Sequence, residues 1–470
     1  MRTRPSAPGV FLAAWLAKGR PPGAALPNQV AQFQVTQPDL AVPVHPSLAA
    51  AFQALDDSGS WLLLRGENDL VSPSGDVDIL VSTEQLRGLD SVLKAVGFSR
   101  IMAPGHGSHR FYFSYSQVED LWFKLDIVSD IAFGTYQQWK TSLAARCLDC
   151  RVRRGLLWLP AAADQAWLQL LHLFLDKGEI QPTRTQPARH AADVASAEDD
   201  LAARIEHYTG TGTAVEILNL VQSGEFDRVP VTAARIRASW TSRAVLGTTI
   251  RAGINRALRT ISPTVKGTSR RGLAVGVMGP DGAGKTSLLR SLSATLPVSG
   301  NYVYMGMWSA GPRDALLSRI PGGRLGKKAV RIFRGSLLAR YQRLRGRLVL
   351  LDRVPYDTRL PGSVDKSVGG RISAALAFAL APSPDILLLL DAPGEIMFAR
   401  KGEHSVEVLE SWRRAYLELA QGLPGAWVLD AGQPLKAVRR EATALVWSAL
   451  VNGGNSPGTQ QRKRGRHRNG

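Results

Sequence analysis

A chain of 470 residues is too long for one hydrophobic core, so two or three domains are expected. Two cysteines, Cys147 and Cys150, exclude a disulfide framework, and no run of eighteen apolar residues offers a transmembrane helix. The net charge of +19 is local: Arg235–Arg271 carries nine Lys/Arg and no acid, Arg313–Arg347 eleven against Asp314, and the tail from Gly453 five and no acid. Such stretches suggest contact with a nucleotide, a nucleic acid or a membrane surface.

The N-terminus, MRTRPSAPGVFLAAWLAKGR, has a basic start and a short apolar run, but Lys18 and Arg20 follow closely. It reads as no signal peptide, and the chain as cytoplasmic. Residues 1–44 form an uninformative extension. A helix is expected over Pro46–Ala54 and a strand over Trp61–Arg65, ending at Gly66. The run Asp76-Val77-Asp78-Ile79-Leu80-Val81 alternates, which puts Asp76 and Asp78 on one face of a strand. Two carboxylates so placed can share a divalent metal, and Asp126, central in the strand-like Phe123–Val128, could complete the cluster. The same acids also read as solvent-facing strand residues. The CLDC of Cys147–Cys150 has no second pair and no His-x-x-x-His partner, so coincidence is preferred to a redox or zinc site. Helices are expected over Ala163–Leu175, with His172 as a packing residue, and over Ala191–His207 and Ala214–Gln222.

Gly66, Asp76, Asp78 and Asp126, in that order, resemble the nucleotidyltransferase superfamily over roughly residues 45–230. The resemblance implies an α+β domain of a small mixed sheet and a helical cap, with the three acids on a metal. Where that family usually carries Gly-Ser or Gly-Gly, this chain has Gly66-Glu67, and a binding-only domain is the alternative.

Residues 231–271 read as a basic linker. Within it Ala233–Leu258 could form an amphipathic helix, with Ile236, Trp240, Val245, Leu246, Ile250, Ile254 and Leu258 as its apolar residues. An ordinary connecting helix is preferred there to membrane-surface binding.

The strongest motif is Gly279-Pro280-Asp281-Gly282-Ala283-Gly284-Lys285-Thr286, which meets every required position of the phosphate-binding loop G-x-x-x-x-G-K-[ST]. An apolar run, Leu273–Met278, precedes it, and a helical pattern, Ser287–Leu296, follows it. Gly279, Asp281, Gly282, Ala283, Gly284, Lys285, Thr286 and Ser287 are the expected nucleotide-binding residues: converging backbone N–H groups for phosphate, Lys285 for the β- and γ-phosphates, and the Thr286 hydroxyl for Mg²⁺. Two later apolar strands end in acids, Leu348–Asp352 and Ile386–Asp391. Asp352, coupled to Arg353, is favoured as the catalytic-site acid, with Asp391 in support; Arg353 can hold a phosphate bidentately. Arg400 and Lys401 stand at an expected mobile loop. Helices over Glu395–Arg400, Val406–Leu419 and Leu435–Leu450 and a strand over Trp427–Ala431 complete an alternating α/β pattern, hence a doubly wound parallel sheet.

Over about residues 272–451 the chain resembles the thymidylate kinase family of P-loop nucleoside monophosphate kinases. The likeness rests on GPDGAGKT, Asp352-Arg353 with Tyr356 and Asp357, Leu390-Asp391-Ala392-Pro393, Arg400-Lys401, Tyr416 and Leu429-Asp430-Ala431. It implies a kinase using ATP and Mg²⁺, with Lys285, Asp352, Arg353 and Arg400 as catalytic residues; Arg353 would touch the acceptor phosphate and Arg400 would serve as a lid arginine. The Arg-Glu-Pro-Gly segment of that family is replaced here by Met305–Arg313, so the acceptor is left open. Expected partners are a nucleotide and a phosphorylated small-molecule acceptor; an anionic surface and a homodimer stay open. A nucleotidyltransferase-like half joined to a thymidylate kinase-like half resembles bacterial proteins linked to surface polysaccharide synthesis. Nucleotidyl transfer with a regulatory P-loop, and an ATP-switched binding module, are the alternatives. The tail, 452–470, reads as disordered.

Overall fold

The computed structural model describes residues 42–66, 69–265, 267–268, 272–298, 300–304, 323–352, 383–423 and 425–452, together with residues 356, 375 and 379. Glu67, Arg353, Asp357, Met305–Arg313 and the extensions at both ends lie outside them. The chain forms two compact units that divide in sequence after Thr264, apart from the turn between the strands Arg110–Ser116 and Leu121–Val128.

The first unit opens with helix α1 (Pro46–Ser58), whose first turn is closed by His45 Nδ1 accepting from Ser47 N at 3.1 Å. Strands β1 (Trp61–Arg65), β2 (Val77–Val81), β3 (Ser99–Met102), β4 (Arg110–Ser116) and β5 (Leu121–Val128) lie in the order β1-β2-β5-β4-β3, with helix α2 (Leu89–Ala95) between β2 and β3. β1 and β2 are antiparallel, β2 and β5 parallel, β3 and β4 antiparallel. The mixed sheet is followed by helices α3 (Leu143–Asp149), α4 (Ala162–Leu171), α5 (Thr185–Val194), α6 (Asp200–Thr209), α7 (Thr213–Ser223), α8 (Val229–Arg243) and α9 (Val245–Val265).

Three elements differ from expectation. The helix expected to Leu175 widens at His172 into a π-helical turn, His172–Lys177, closed by Gly178 at φ 75°. The helix expected over Ala191–His207 is two, α5 and α6. Asp199 Oδ2 accepts from Ser196 N at 2.8 Å and from Trp167 Nε1 at 3.0 Å, a local turn that competes with the helical ladder. The segment expected to be a linker is folded structure. It breaks at Ala244 (φ −130°), and α8 delivers Val229, Ala233, Ile236 and Trp240 to the same core as Leu170, Phe174, Leu201 and Ile217. Trp240 is 1% exposed and stacks on Tyr208 with ring centroids 4.6 Å apart.

The second unit carries strands β6 (Ala274–Met278), β7 (Gly300–Tyr304), β8 (Leu348–Asp352), β9 (Ile386–Asp391) and β10 (Ala426–Asp430) in the order β7-β8-β6-β9-β10. Every neighbouring pair is parallel. The residues of β6 and β8 are buried throughout, which is why these strands read as unbroken apolar runs rather than alternating ones. Helices α11 (Gly323–Leu344) and α13 (Val406–Gln421) cover one face through Ala339, Tyr416 and Ala420. Helices α10 (Lys285–Thr295) and α14 (Leu435–Val451) pack together on the other, and α12 (Gly394–Lys401) follows β9. The order places β6 in the middle, so the loop after it opens at the carboxyl edge of the sheet where direction reverses.

Candidate active site

The loop Gly279–Gly284 joins β6 to α10, and two of its glycines sit where a side chain would not fit. Gly279 has φ 144° and Gly282 φ 87°; a Cβ there would stand 2.8 Å from Leu390 O and 2.5 Å from Met397 O respectively. Gly284 (φ 96°) turns the chain into α10, whose N-terminus presents backbone N–H groups and a partial positive charge to the space in front of it. That space is a cavity of about 450 Å³, lined by Asp281 to Ser287, Arg400, Lys401 and Gln433.

Lys285 Nζ donates to Gly279 O at 2.7 Å and Pro280 O at 2.8 Å. The ammonium is thus curled over the loop that would hold phosphate. Thr286 Oγ1 donates to Asp352 Oδ2 at 3.4 Å, and Asp352 is 3% exposed. A hydroxyl and a carboxylate beside a phosphate loop are hard oxygen ligands of the kind Mg²⁺ takes, so the residues present fit that ion. Asp391 has another partner: Arg413 Nε and Nη2 reach its two oxygens at 2.5 and 3.0 Å. Arg400 Nη1 donates to Ala431 O at 3.0 Å. Among the described residues, the metal-ligating trio whose ligand atoms lie within 4.8 Å of one another is Asp281, Glu403 and His404. Lys401 Nζ lies 2.7 Å from Glu403 and 4.0 Å from Asp281, so a side-chain cation already serves those carboxylates.

The first unit has a cavity of its own, about 470 Å³, lined by Arg65, Asp78, His109, Asp126, Gln165, His172 and others. Asp78 and Asp126 are register partners on the parallel strands β2 and β5. Asp78 Oδ2 is 2.9 Å from Arg65 Nη2, and Asp126 Oδ1 is 2.7 Å from His109 Nδ1. Burial pushes Asp78 up to about 6, against the pull of Arg65 and with the help of Asp126 and Asp76. Burial lowers His109, but the hydrogen bond and charge of Asp126 outweigh it, and the net shift is upward. Asp76 stands one residue before β2 and is ion-paired with Lys124. The structure therefore brings Asp78 and Asp126 together and gives Asp76 a cation of its own.

Several polar residues of these sites carry no sequence motif: His109, Arg65, Lys124 and Arg413. Only Lys124 left a trace, two positions before Asp126 and so on the same strand face. His172, expected as a packing residue, lines the cavity with its Nδ1 2.7 Å from Asp176 Oδ2, and burial lowers its pKa. Cys147 and Cys150 are not bonded to each other; Cys147 is buried, and burial pushes its thiol up to about 12.

No family model matches the chain. The thymidylate kinase of Xanthomonas campestris pv. campestris (strain B100) is 32% identical to it over 209 residues, a match covering 38% of this chain and 86% of that protein. The thymidylate kinase of Xylella fastidiosa (strain M23) is 32% identical over 195 residues, covering 38% and 88%. Among solved structures, the thymidylate kinase of Candida albicans aligns at 16% identity and a TM-score of 0.31, covering 39% of this chain and 95% of that one.

Proposed function

Because the chain belongs, over that part of its length, to the thymidylate kinase family, we propose that its P-loop unit transfers the γ-phosphoryl group of ATP to the phosphate of a small-molecule acceptor of the nucleoside monophosphate type. The observation that carries this is the meeting of Lys285 and Thr286 at one cavity beside the glycine loop, with Asp352 behind Thr286 as its hydrogen-bond acceptor. An acceptor phosphate oxygen bonds to the γ-phosphorus as the bond from that phosphorus to the β,γ-bridging oxygen breaks, leaving ADP. Lys285 would leave the carbonyls of Gly279 and Pro280 for the β- and γ-phosphates, where its charge offsets the negative charge of the transfer. Arg400 would add charge from the lid side. Arg353, outside the described residues, is assigned the acceptor phosphate. Thr286 and Asp352 would hold Mg²⁺, which when bound draws charge from the phosphate oxygens. A cytoplasmic setting goes with this reading.

The test is transfer from γ-labelled ATP, with thymidine monophosphate, other nucleoside monophosphates and sugar phosphates offered separately. Label on one of them identifies the acceptor; no label on any, with ATP still bound, would overturn the reading.

A second reading rests on the first unit. The pairing of Asp78 with Asp126 on a cavity of about 470 Å³ supports a metal-dependent nucleotidyl transfer there. Its sign is pyrophosphate rather than ADP as product, lost in Asp126→Asn and kept in Lys285→Ala.

A further inference from the structure

Helix α9 is turned inside out. Its inner side is polar: Thr248, Asn255 and Ser262 are buried at seven-residue intervals. Asn255 Nδ2 donates to Tyr136 O at 2.8 Å, Arg251 Nη1 to Gln138 O at 3.2 Å and Arg259 Nε to Gly105 O at 2.8 Å. The outer side is apolar. Leu246 is 75% exposed, Ile250 51% and Ile254 55%. Their spacing puts them on one stripe, and the exposed Arg256 flanks it. A surface helix of a globular protein ordinarily shows its core the apolar face. Here hydrogen bonds hold the helix on the unit, and the apolar stripe is left to something else.

Charge decides between the occupants. No acid occurs between Asp227 and Asp281. A second copy docked stripe to stripe would bring Arg256 toward its equal with no acid on the helix to pair, on a chain of net charge +19. Residues 1–38 carry Arg2, Arg4, Lys18 and Arg20 and no acid, so they have the wrong sign too. An anionic lipid surface answers both features, with acyl chains for the stripe and headgroup phosphates for Arg256. No described helix is long and apolar enough to cross a membrane, which suits a helix lying flat. We propose that α9 docks the protein on anionic membrane surfaces, with Leu246, Ile250 and Ile254 at the acyl boundary and Arg256 at the headgroups.

The test uses the full chain and vesicles of phosphatidylcholine and phosphatidylglycerol in equal parts, against vesicles of phosphatidylcholine alone. The protein should cosediment with the anionic vesicles and not with the neutral ones. The double variant Ile250→Glu/Ile254→Glu should bind at least about tenfold more weakly, because both side chains are withheld from the apolar phase. Its thermal midpoint should be unchanged, since both residues are exposed; if it falls, Ile250→Ser/Ile254→Ser repeats the comparison. Equal binding by wild type and variant would place the contact on other basic stretches and overturn the proposal. So would absence of binding to either vesicle, or a variant that only dissociates a dimer in light scattering.

Discussion

Arg413 clamps both oxygens of the Asp391 carboxylate, Nε to Oδ1 at 2.5 Å and Nη2 to Oδ2 at 3.0 Å. The same guanidinium reaches Glu410 at 3.0 Å, and the bond to Asp391 raises its already high pKa further. Asp391 therefore ties β9 to α13, while Asp352 remains beside Thr286. Asp391→Asn should lower stability by about 1–3 kcal/mol and leave phosphoryl transfer within about tenfold of wild type. Asp352→Asn should do the reverse, with little change in stability and a drop in kcat on the order of 10²–10³. Urea midpoints and initial rates on the two variants separate these outcomes.

Lys285→Ala removes the charge meant for the transferring group and should lower kcat by on the order of 10²-fold or more. Gly282→Ala acts at an earlier stage. Its φ of 87°, and the 2.5 Å that would separate an added Cβ from Met397 O, mean that the methyl group displaces backbone. ATP binding itself should be lost there, whereas Lys285→Ala should retain weakened binding. Equilibrium titration with a non-hydrolysable ATP analogue distinguishes the two.

Stability should fall as pH rises through the mildly acid range, which is unusual for a protein rich in ion pairs. Asp78 has its folded value raised from 3.8 to about 6, so the folded state keeps a proton that the unfolded chain releases. Between about pH 4 and pH 6 that group costs on the order of 2–3 kcal/mol. His109 has its folded value raised above 6.5. Its contribution is full below the unfolded value and is lost as pH climbs through the folded one, so it acts in the same direction. Asp78→Asn should flatten the lower part of the curve and change the upper part less, since Asp126 holds His109 more strongly than Asp78 does. Urea midpoints taken across the range would show it, and an unaltered slope in the variant would rule out Asp78 as the cause.

Trp240→Ala should destabilise the first unit by about 3–5 kcal/mol, the usual cost of emptying a buried aromatic site. A connecting helix would tolerate the change. The urea midpoint of the variant is the measurement.

The phosphate loop was legible because three signals agreed: a glycine pattern, an apolar run before it and a helical run after it. The choice between Asp352 and Asp391 was not legible from spacing, since both end apolar strands. In the structure Arg413, twenty-two residues beyond Asp391, takes up that carboxylate, while Asp352 lies beside Thr286. Alternation put Asp76 and Asp78 on one face, but it says nothing of neighbours: Asp76 stands one residue before β2 and meets Lys124 from another strand, while Asp78 meets Asp126. The basic segment misled for a physical reason. Its apolar residues fit one helical stripe on paper, yet the break at Ala244 sends Ile236 and Trp240 inward and Leu246, Ile250 and Ile254 outward.

The close approach of Gly282 to the Met397 carbonyl has a mechanical meaning. With no side chain between them, the nucleotide loop bears directly on α12, the helix that ends in Arg400 and Lys401. Loop and lid helix are geared: neither can shift along that contact without pushing the other. On the proposed function, a nucleotide that reseats the loop would report its arrival to Arg400 by backbone displacement alone. The transmission has no removable part, only a glycine that must stay bare.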